Sequence, residues 1–238
     1  MNNDVNTNVN DSVNNNKTKN IVFFILSVIF FMLFELIWYA IGIDYDKLTP
    51  KGKILCMYAK YVVFIIIYII HYRRYLIDKW KDFKKHFVKY AKTSIKWWGV
   101  GFLAMMMINT ILSVFIKTEG ANEEAVQSFL KSEPYLMLIA TSLFAPIIEE
   151  MMYRKSLQDC FRSKILFIIV SGFLFGLMHV LSSSNPIEYL FILSYGAFGA
   201  AFAKALVDSD NIFTTILAHM FHNTVLSLIA ILPVVMKW

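Results

Sequence analysis

Long apolar runs alternate with short polar segments along the whole chain. Most of the runs approach the ~20 residues that a helix needs to cross a bilayer, and they fall at 21–43, 54–70, 97–116, 135–148, 165–181, 187–207 and 212–235. The fourth run reaches that length only when its helix continues through Arg154. Because backbone polar groups must be satisfied inside the bilayer, apolar runs of this length predict helices. The pattern therefore predicts an all-α, polytopic membrane protein with about seven transmembrane helices.

The first 20 residues differ from the rest of the chain. They are rich in Asn and poor in apolar side chains, which predicts a disordered cytoplasmic tail. We do not expect a cleaved signal peptide, because the apolar run that follows is long and lacks a small-residue cleavage site. N-terminal membrane helices at 21–133 and core helices at 134–238 complete the predicted organisation.

The charges are confined to particular polar segments, and their sign alternates. Residues 71–96 hold nine Lys or Arg and two Asp, and the segment 154–164 is also basic, whereas 117–133 carries four Glu. Basic loops stay in the cytoplasm. We therefore expect a bacterial cell-membrane protein with a cytoplasmic N-terminus and an external C-terminus.

Aromatic side chains interleave with the cations of 71–96. This pattern is typical of an amphipathic helix at the cytoplasmic interface. It fits an ordinary basic loop with aromatic anchors, and it also fits a site for anionic lipids. Because the cations flank membrane segments, we do not expect a nucleic-acid partner. In the first two runs Glu35 and Lys60 are lone charges, for which we predict an ion pair.

The segment 145–154, Ala-Pro-Ile-Ile-Glu-Glu-Met-Met-Tyr-Arg, places two carboxylates and a cation at membrane depth. Ionisable residues there are costly and are functional by default. Glu150 and Arg154 share a helix face at i, i+4, which is a pairing geometry. Glu149 points about a quarter-turn away and is free for other work.

Two later motifs add polar groups on other spans, Phe175 to His179 and His219 to Asn223. Within the first motif, Gly176 is expected to allow a close approach of another helix. Each alone could be an interhelical hydrogen bond, but together they indicate a catalytic cavity formed by the late helices. Glu149 could take a proton from a water that His179 positions, and His219 with Asn223 could donate to an oxyanion. Glu149, His179 and His219 would also form a zinc set. The residues by themselves leave both uses open.

In this order, Glu-Glu-x-x-x-Arg, Phe-x-x-x-His and His-x-x-x-Asn resemble the CPBP family of intramembrane proteases. This Abi group is related to type II CAAX prenyl endopeptidases and to bacteriocin-processing and immunity proteins. The resemblance covers about 134–235. It implies Glu149 as the base, His179 as its partner, His219 and Asn223 as the oxyanion site, and Glu150, Arg154 and Phe175 as support. A metal-free mechanism without a cofactor is favoured over zinc, because Asn223 is a poor zinc ligand and a good oxyanion donor.

The function predicted in this way is an intramembrane endopeptidase that acts on a membrane-associated peptide or membrane protein, with a cavity open to the cytoplasm. The alternative is a non-proteolytic binding partner, such as a bacteriocin self-immunity protein or a regulator of another membrane protein. One geometric condition applies. By a rise of 1.5 Å per residue, His179 lies about 9 Å deeper from the cytoplasmic side than Glu149. The site exists only if the helices bring the two side chains together.

Overall fold

The computed structural model describes residues 2–118 and 120–236, with side chains for all of these except 2–16, 234 and 235. This part of the chain is helical and contains no strand. The helices are α1 (Asn2–Leu33), α2 (Leu36–Ala40), α3 (Pro50–Lys85), α4 (Phe87–Leu112), α5 (Ala121–Ser132), α6 (Pro134–Ser156), α7 (Lys164–Val180), α8 (Pro186–Ser209) and α9 (Ile212–Val235). Helix α8 opens with a 3₁₀ segment, Pro186–Phe191.

Within the described residues, α3, α4, α6, α8 and α9 are long and apolar enough to cross a membrane. Helix α7 is apolar but has only 17 residues. The predicted polytopic all-α class is confirmed, with five such helices in the described residues where about seven spans were predicted. The predicted run at 21–43 is divided between α1 and the short α2. The predicted tail, 1–20, lies largely outside the residues whose side chains are described, so its disorder stays a prediction.

The basic segment 71–96 is not one interfacial helix. Helix α3 carries it as far as Lys85, with a local departure from helical geometry at Tyr72 (φ −105°, ψ 17°). The chain turns at His86, and α4 begins at Phe87. His86 Nδ1 lies 2.8 Å from Asp82 Oδ1 at this turn. The predicted segment is therefore the end of one helix and the start of the next, and its contact with anionic lipids stays a prediction.

Contacts between distant residues place the basic segments at one end of the bundle. Lys79 Nζ lies 2.6 Å from Asp210 Oδ2, which joins α3 to the α8–α9 turn. Trp97 Nε1 donates to Asp208 Oδ2 at 3.0 Å. Lys155 Nζ lies 4.3 Å from the centre of the Tyr75 ring, which joins the end of α6 to α3. We call the segments 71–97, 155–164 and 204–211 the basic end.

The segments 117–133 and 181–191 meet at the opposite end, which we call the acidic end. The Glu188 carboxylate accepts hydrogen bonds there from Thr118 Oγ1 at 3.0 Å and from the Ala121 N–H at 3.2 Å. This clamp fixes the start of α5 against the start of α8. Near the same end, Lys60 Nζ lies 3.2 Å from Glu35 Oε1, which confirms the predicted ion pair.

Helices α7 and α8 approach each other closely at glycines. A Cβ on Gly172 would lie 2.6 Å from the Gly196 carbonyl oxygen, and a Cβ on Gly176 would lie 2.5 Å from that of Ile192. Small residues let helix backbones come together in a membrane. The predicted role of Gly176 in close helix approach is thus confirmed, and it brings the His179 end of α7 against α8.

Replacing Gly176 by Ala is expected to destabilise the protein by about 1–3 kcal/mol, because the added methyl group meets backbone and not a flexible side chain. Gly99, in the middle of α4, is the matched control, because a Cβ there meets nothing within 4 Å. Gly99→Ala should raise stability by about 0.5–1 kcal/mol through helix propensity alone. Chemical unfolding in detergent measures both variants, and equal effects would contradict the close α7–α8 contact.

Candidate active site

Helix α6 has unusual backbone geometry around its two glutamates. The segment Ala145–Glu150 is α-helical, and π-helical segments, Ala140–Phe144 and Met151–Ser156, lie before and after it. The Ala145 N–H donates to the Ala140 carbonyl in the π pattern, and Pro146 has no N–H to donate. The Thr141 carbonyl therefore lacks its usual helical donor. Asn223 Nδ2 of α9 supplies one at 2.9 Å.

Glu150 and Arg154 form the i, i+4 pair that the sequence predicts. Arg154 Nε lies 3.2 Å from Glu150 Oε2, and both side chains are fully buried. Arg154 Nη2 also donates to the Gly199 carbonyl at 3.3 Å. Its guanidinium carbon lies 4.3 Å from the centre of the Phe175 ring. A buried cation with these partners holds the Glu150 carboxylate in one position.

His219 lies between the two carboxylates of α6. Its Nδ1 is 2.8 Å from Glu150 Oε1, and its Nε2 is 3.8 Å from Glu149 Oε2. Because the Glu150 carboxylate is paired with Arg154, it accepts the hydrogen bond and Nδ1 donates it. The donor role of Nδ1 fixes the ring and turns Nε2 towards Glu149. Glu150 and Arg154 therefore act on the site through His219.

His179 reaches the same region from the end of α7. Its Nδ1 lies 2.8 Å from the Phe175 carbonyl oxygen, which can only accept, so Nδ1 is the donor. The ring stacks on Tyr195 of α8, with 4.6 Å between the ring centres. In the neutral ring, Nε2 is then an acceptor that can hold a water molecule.

A cavity of about 750 Å³ joins these groups, and its lining includes Glu149, His179, His219 and Asn223. The depth difference that the sequence predicts for His179 therefore does not separate the motifs. Glu150 and Arg154 lie behind this lining. A third histidine, His222, also faces the cavity, where Trp98 Nε1 donates to its Nδ1 at 3.4 Å.

The cavity opens at the acidic end of the bundle. Its lining includes the exposed residues Glu35, Thr118 and Ala125, and several further side chains of α5. No described residue of the basic end lines it. The predicted opening at the basic end, which loop charge predicts to be cytoplasmic, is therefore not observed, because a count of residues along straight helices does not show which side the packed core closes.

The zinc alternative requires that the fold bring three ligand side chains around one metal ion. In the described part of the chain, no group of three or more His, Cys, Asp or Glu side chains is arranged to hold a metal ion. Glu149 and His219 face each other, whereas a catalytic zinc takes three protein ligands. Among the described residues, the predicted set of Glu149, His179 and His219 does not form such a site.

Three contacts of the site were missed by sequence reasoning. The Thr141 carbonyl, the Gly199 carbonyl and the Tyr195 ring each touch a predicted site residue. For Thr141 the sequence carried a signal. Pro146 lies five residues later and has no N–H, so in a π-helix it cannot donate to the Thr141 carbonyl. Gly199 and Tyr195 carry no such signal, since their roles depend on how α8 is rotated.

Replacing Asn223 by Ala is expected to destabilise the protein by about 1–3 kcal/mol, because it leaves the buried Thr141 carbonyl without a donor. Asn109 is the matched control. It lines the same cavity, and its Oδ1 has no hydrogen-bond partner in the described structure. Thermal unfolding of Asn223→Ala and Asn109→Ala in detergent compares the two. Equal melting temperatures would contradict the proposed link between α9 and the π-helical segment.

The fold and the cavity define a polytopic helical membrane protein with a buried polar site. Residues 131–225 match the family described as "Type II CAAX prenyl endopeptidase Rce1-like". This range contains all three motifs, so the predicted resemblance to type II CAAX prenyl endopeptidases is confirmed for this part of the chain.

Two curated proteins are similar to the chain, and the name of one of them agrees with this match. The chain is similar to "Putative membrane peptidase YdiL" of Bacillus subtilis, with 29% identity over 150 residues, which cover 59% of this chain and 58% of that protein. An uncharacterized protein of Mycoplasma capricolum is 29% identical over 136 residues, or 52% of this chain and 40% of its own length. The chain thus spans about half the length of these relatives. No solved structure matches the chain.

Proposed function

We propose that this protein is an intramembrane endopeptidase that hydrolyses a peptide bond of a membrane-associated peptide or protein with a glutamate-activated water. The observation that carries the proposal is the position of His219, which lies between Glu149 and the buried Glu150–Arg154 pair at the closed end of a polar cavity. The Rce1-like match and the membrane peptidase of Bacillus support the same class of activity.

In the proposed first step, Glu149 takes a proton from a water as the water oxygen attacks the scissile carbonyl carbon. Glu149 is suited to this role because its side chain is 24% accessible from the cavity, whereas that of Glu150 is fully buried. His179 Nε2 accepts a hydrogen bond from the second O–H of the water and holds its oxygen in place. A positioned base of this kind contributes about 10²–10⁴-fold to the rate.

The oxyanion that forms is stabilised by His219 and Asn223. With Nδ1 bound to Glu150, a protonated His219 can donate from Nε2 to the oxyanion. Asn223 gives one amide proton to the Thr141 carbonyl and keeps the second for the substrate. Glu149 then delivers its proton to the leaving amine, which breaks the C–N bond and restores the carboxylate.

The test is an assay of the purified protein in detergent on a quenched peptide library, with and without a metal chelator. We expect cleavage in both conditions, because the described donors do not form a three-ligand metal site. Loss of cleavage on chelation, and its return with added zinc, would overturn the metal-free mechanism.

The same assay separates the protease from the alternative of a binding partner. If the wild type cuts nothing and Glu149→Gln retains the effect of the protein in cells, the proteolytic proposal is wrong. The polar cluster would then serve the structure of a membrane binding protein, such as an immunity protein or a regulator.

A further inference from the structure

The helices around the cavity line it with residues that lie away from the basic end. In α9 the lining begins at His219, in the first half of the helix, and continues to Ala230. Met105 and Asn109 come from the second half of α4, and Leu226 and Ala230 from the second half of α9. In α8 the lining residues are confined to 191–198. Helices α4 and α9 start at the basic end, and α8 finishes there. The lining residues of all three helices therefore lie towards the acidic end. The cavity therefore extends from the Glu149–His219 pair towards the acidic end, and we call its opening there the mouth.

On the side of the basic end the pocket is closed by packed side chains. Arg154, Phe202, Leu206 and Ile212 are all fully buried, and they lie between the Glu149–His219 pair and the basic end. The apolar members belong to the largest core cluster of the described residues. A water or peptide coming from the basic end would have to displace this core.

Helix α5 forms one wall of the mouth. Its residues Asn122, Glu123, Val126 and Phe129 line the pocket, and the Glu188 clamp holds its first turn. The exposed Ala125 of the same helix lies at the rim. This wall of the mouth therefore presents both polar and apolar side chains to the pocket.

Loop charge assigns the two ends to the two sides of the membrane. The basic end carries the excess of Lys and Arg, and such loops stay in the cytoplasm. The pocket mouth lies at the other end. We infer that the catalytic cavity opens on the extracytoplasmic side, so that its substrate class is a peptide segment exposed at the outer surface of the membrane. The substrate class rests on the proposed function, whereas the side on which the cavity opens does not depend on it.

Thiol labelling in the full-length protein tests the side of the opening. In a background of Cys56→Ala and Cys160→Ala, three single variants are made: Ala125→Cys at the rim, Ala145→Cys in the lining one helical turn before Glu149, and Lys81→Cys at the exposed basic end. Each is expressed in bacteria and treated with a charged, membrane-impermeant thiol reagent. Right-side-out and inside-out membrane vesicles are compared.

We expect the thiols at 125 and 145 to react in right-side-out vesicles and to lose that reaction in inside-out vesicles, with the opposite result at 81. Reaction at 145 only in inside-out vesicles would overturn the inference, whatever happens at 125. So would an unreactive thiol at 145 in both preparations, because the pocket would then have no aqueous mouth.

A cleavage assay on the same vesicles separates this inference from the proposed function. Peptide added outside right-side-out vesicles should be cut, and prior modification at 145 should abolish the cutting. If the labelling has the expected sides and no peptide is cut, the proteolytic proposal fails while the outward opening holds. If peptide is cut only by inside-out vesicles, the outward opening is wrong and the protease stands.

Discussion

Replacing Glu149 by Gln is expected to lower the rate of peptide cleavage by about 10²–10⁴-fold, the usual contribution of a positioned general base. The amide keeps the size of the side chain and its hydrogen bonding but cannot take a proton from water. Stability should change little, because Glu149 is partly accessible from the cavity and its carboxylate lies as far as 3.8 Å from Nε2 of His219. The single-turnover rate on a cleaved peptide, with melting temperatures in parallel, measures both effects.

Two variants control this experiment. Glu124→Gln makes the same chemical change on the exposed side of α5, outside the cavity lining, and should leave the rate unchanged. Glu149→Asp keeps the carboxylate but draws it back by one methylene, and should retain part of the activity. If Glu149→Gln cleaves as fast as the wild type, Glu149 is not the base.

Replacing Arg154 by Met is expected to give the largest loss of stability, about 3–5 kcal/mol, because it leaves a buried carboxylate without its cation. Glu150 is fully buried, and its remaining charged partner is His219. Since Glu150 also fixes the His219 ring, the variant should lose cleavage as well. Chemical unfolding in detergent measures the free energy of unfolding.

The adjacent pair of Lys155 and Asp159 provides the matched control. It has the same i, i+4 spacing, with 2.6 Å between Lys155 Nζ and Asp159 Oδ1, but both side chains are partly accessible. Lys155→Met should therefore cost no more than about 1 kcal/mol. In addition, Arg154→Met combined with Glu150→Gln should recover part of the loss, because the second change removes the unpaired charge. If the double variant is less stable than Arg154→Met alone, uncompensated charge is not the cause.

Some features of the site followed from local rules. The pairing of Glu150 with Arg154 required only a helix, because residues four apart share a face. Gly176 predicted a close helix contact for the same kind of reason, since an absent Cβ leaves room for a neighbouring backbone. Both predictions were correct. The distance between Glu150 and Arg154 is set within one helix, and the close approach at Gly176 needs only the absence of its Cβ.

The depth of His179 shows where such rules fail. Counting 1.5 Å per residue treats each helix as straight and normal to the membrane. Helix α6 instead contains two π-helical segments, which change the rise and rotation of the residues around Glu149. A residue count cannot include these departures, and Glu149 and His179 line the same cavity despite the predicted difference in depth.

The sequence by itself determined the helical membrane class, the three motifs and the alternation of loop charge, because each depends on hydrophobicity or on spacing within one segment. Only the tertiary structure decided that His219 lies between Glu149 and Glu150, that Asn223 satisfies the Thr141 carbonyl, and that the cavity opens at the acidic end. These features depend on the rotation and offset of one helix against another. Many side chains fix those quantities together through close packing, and no single segment encodes them.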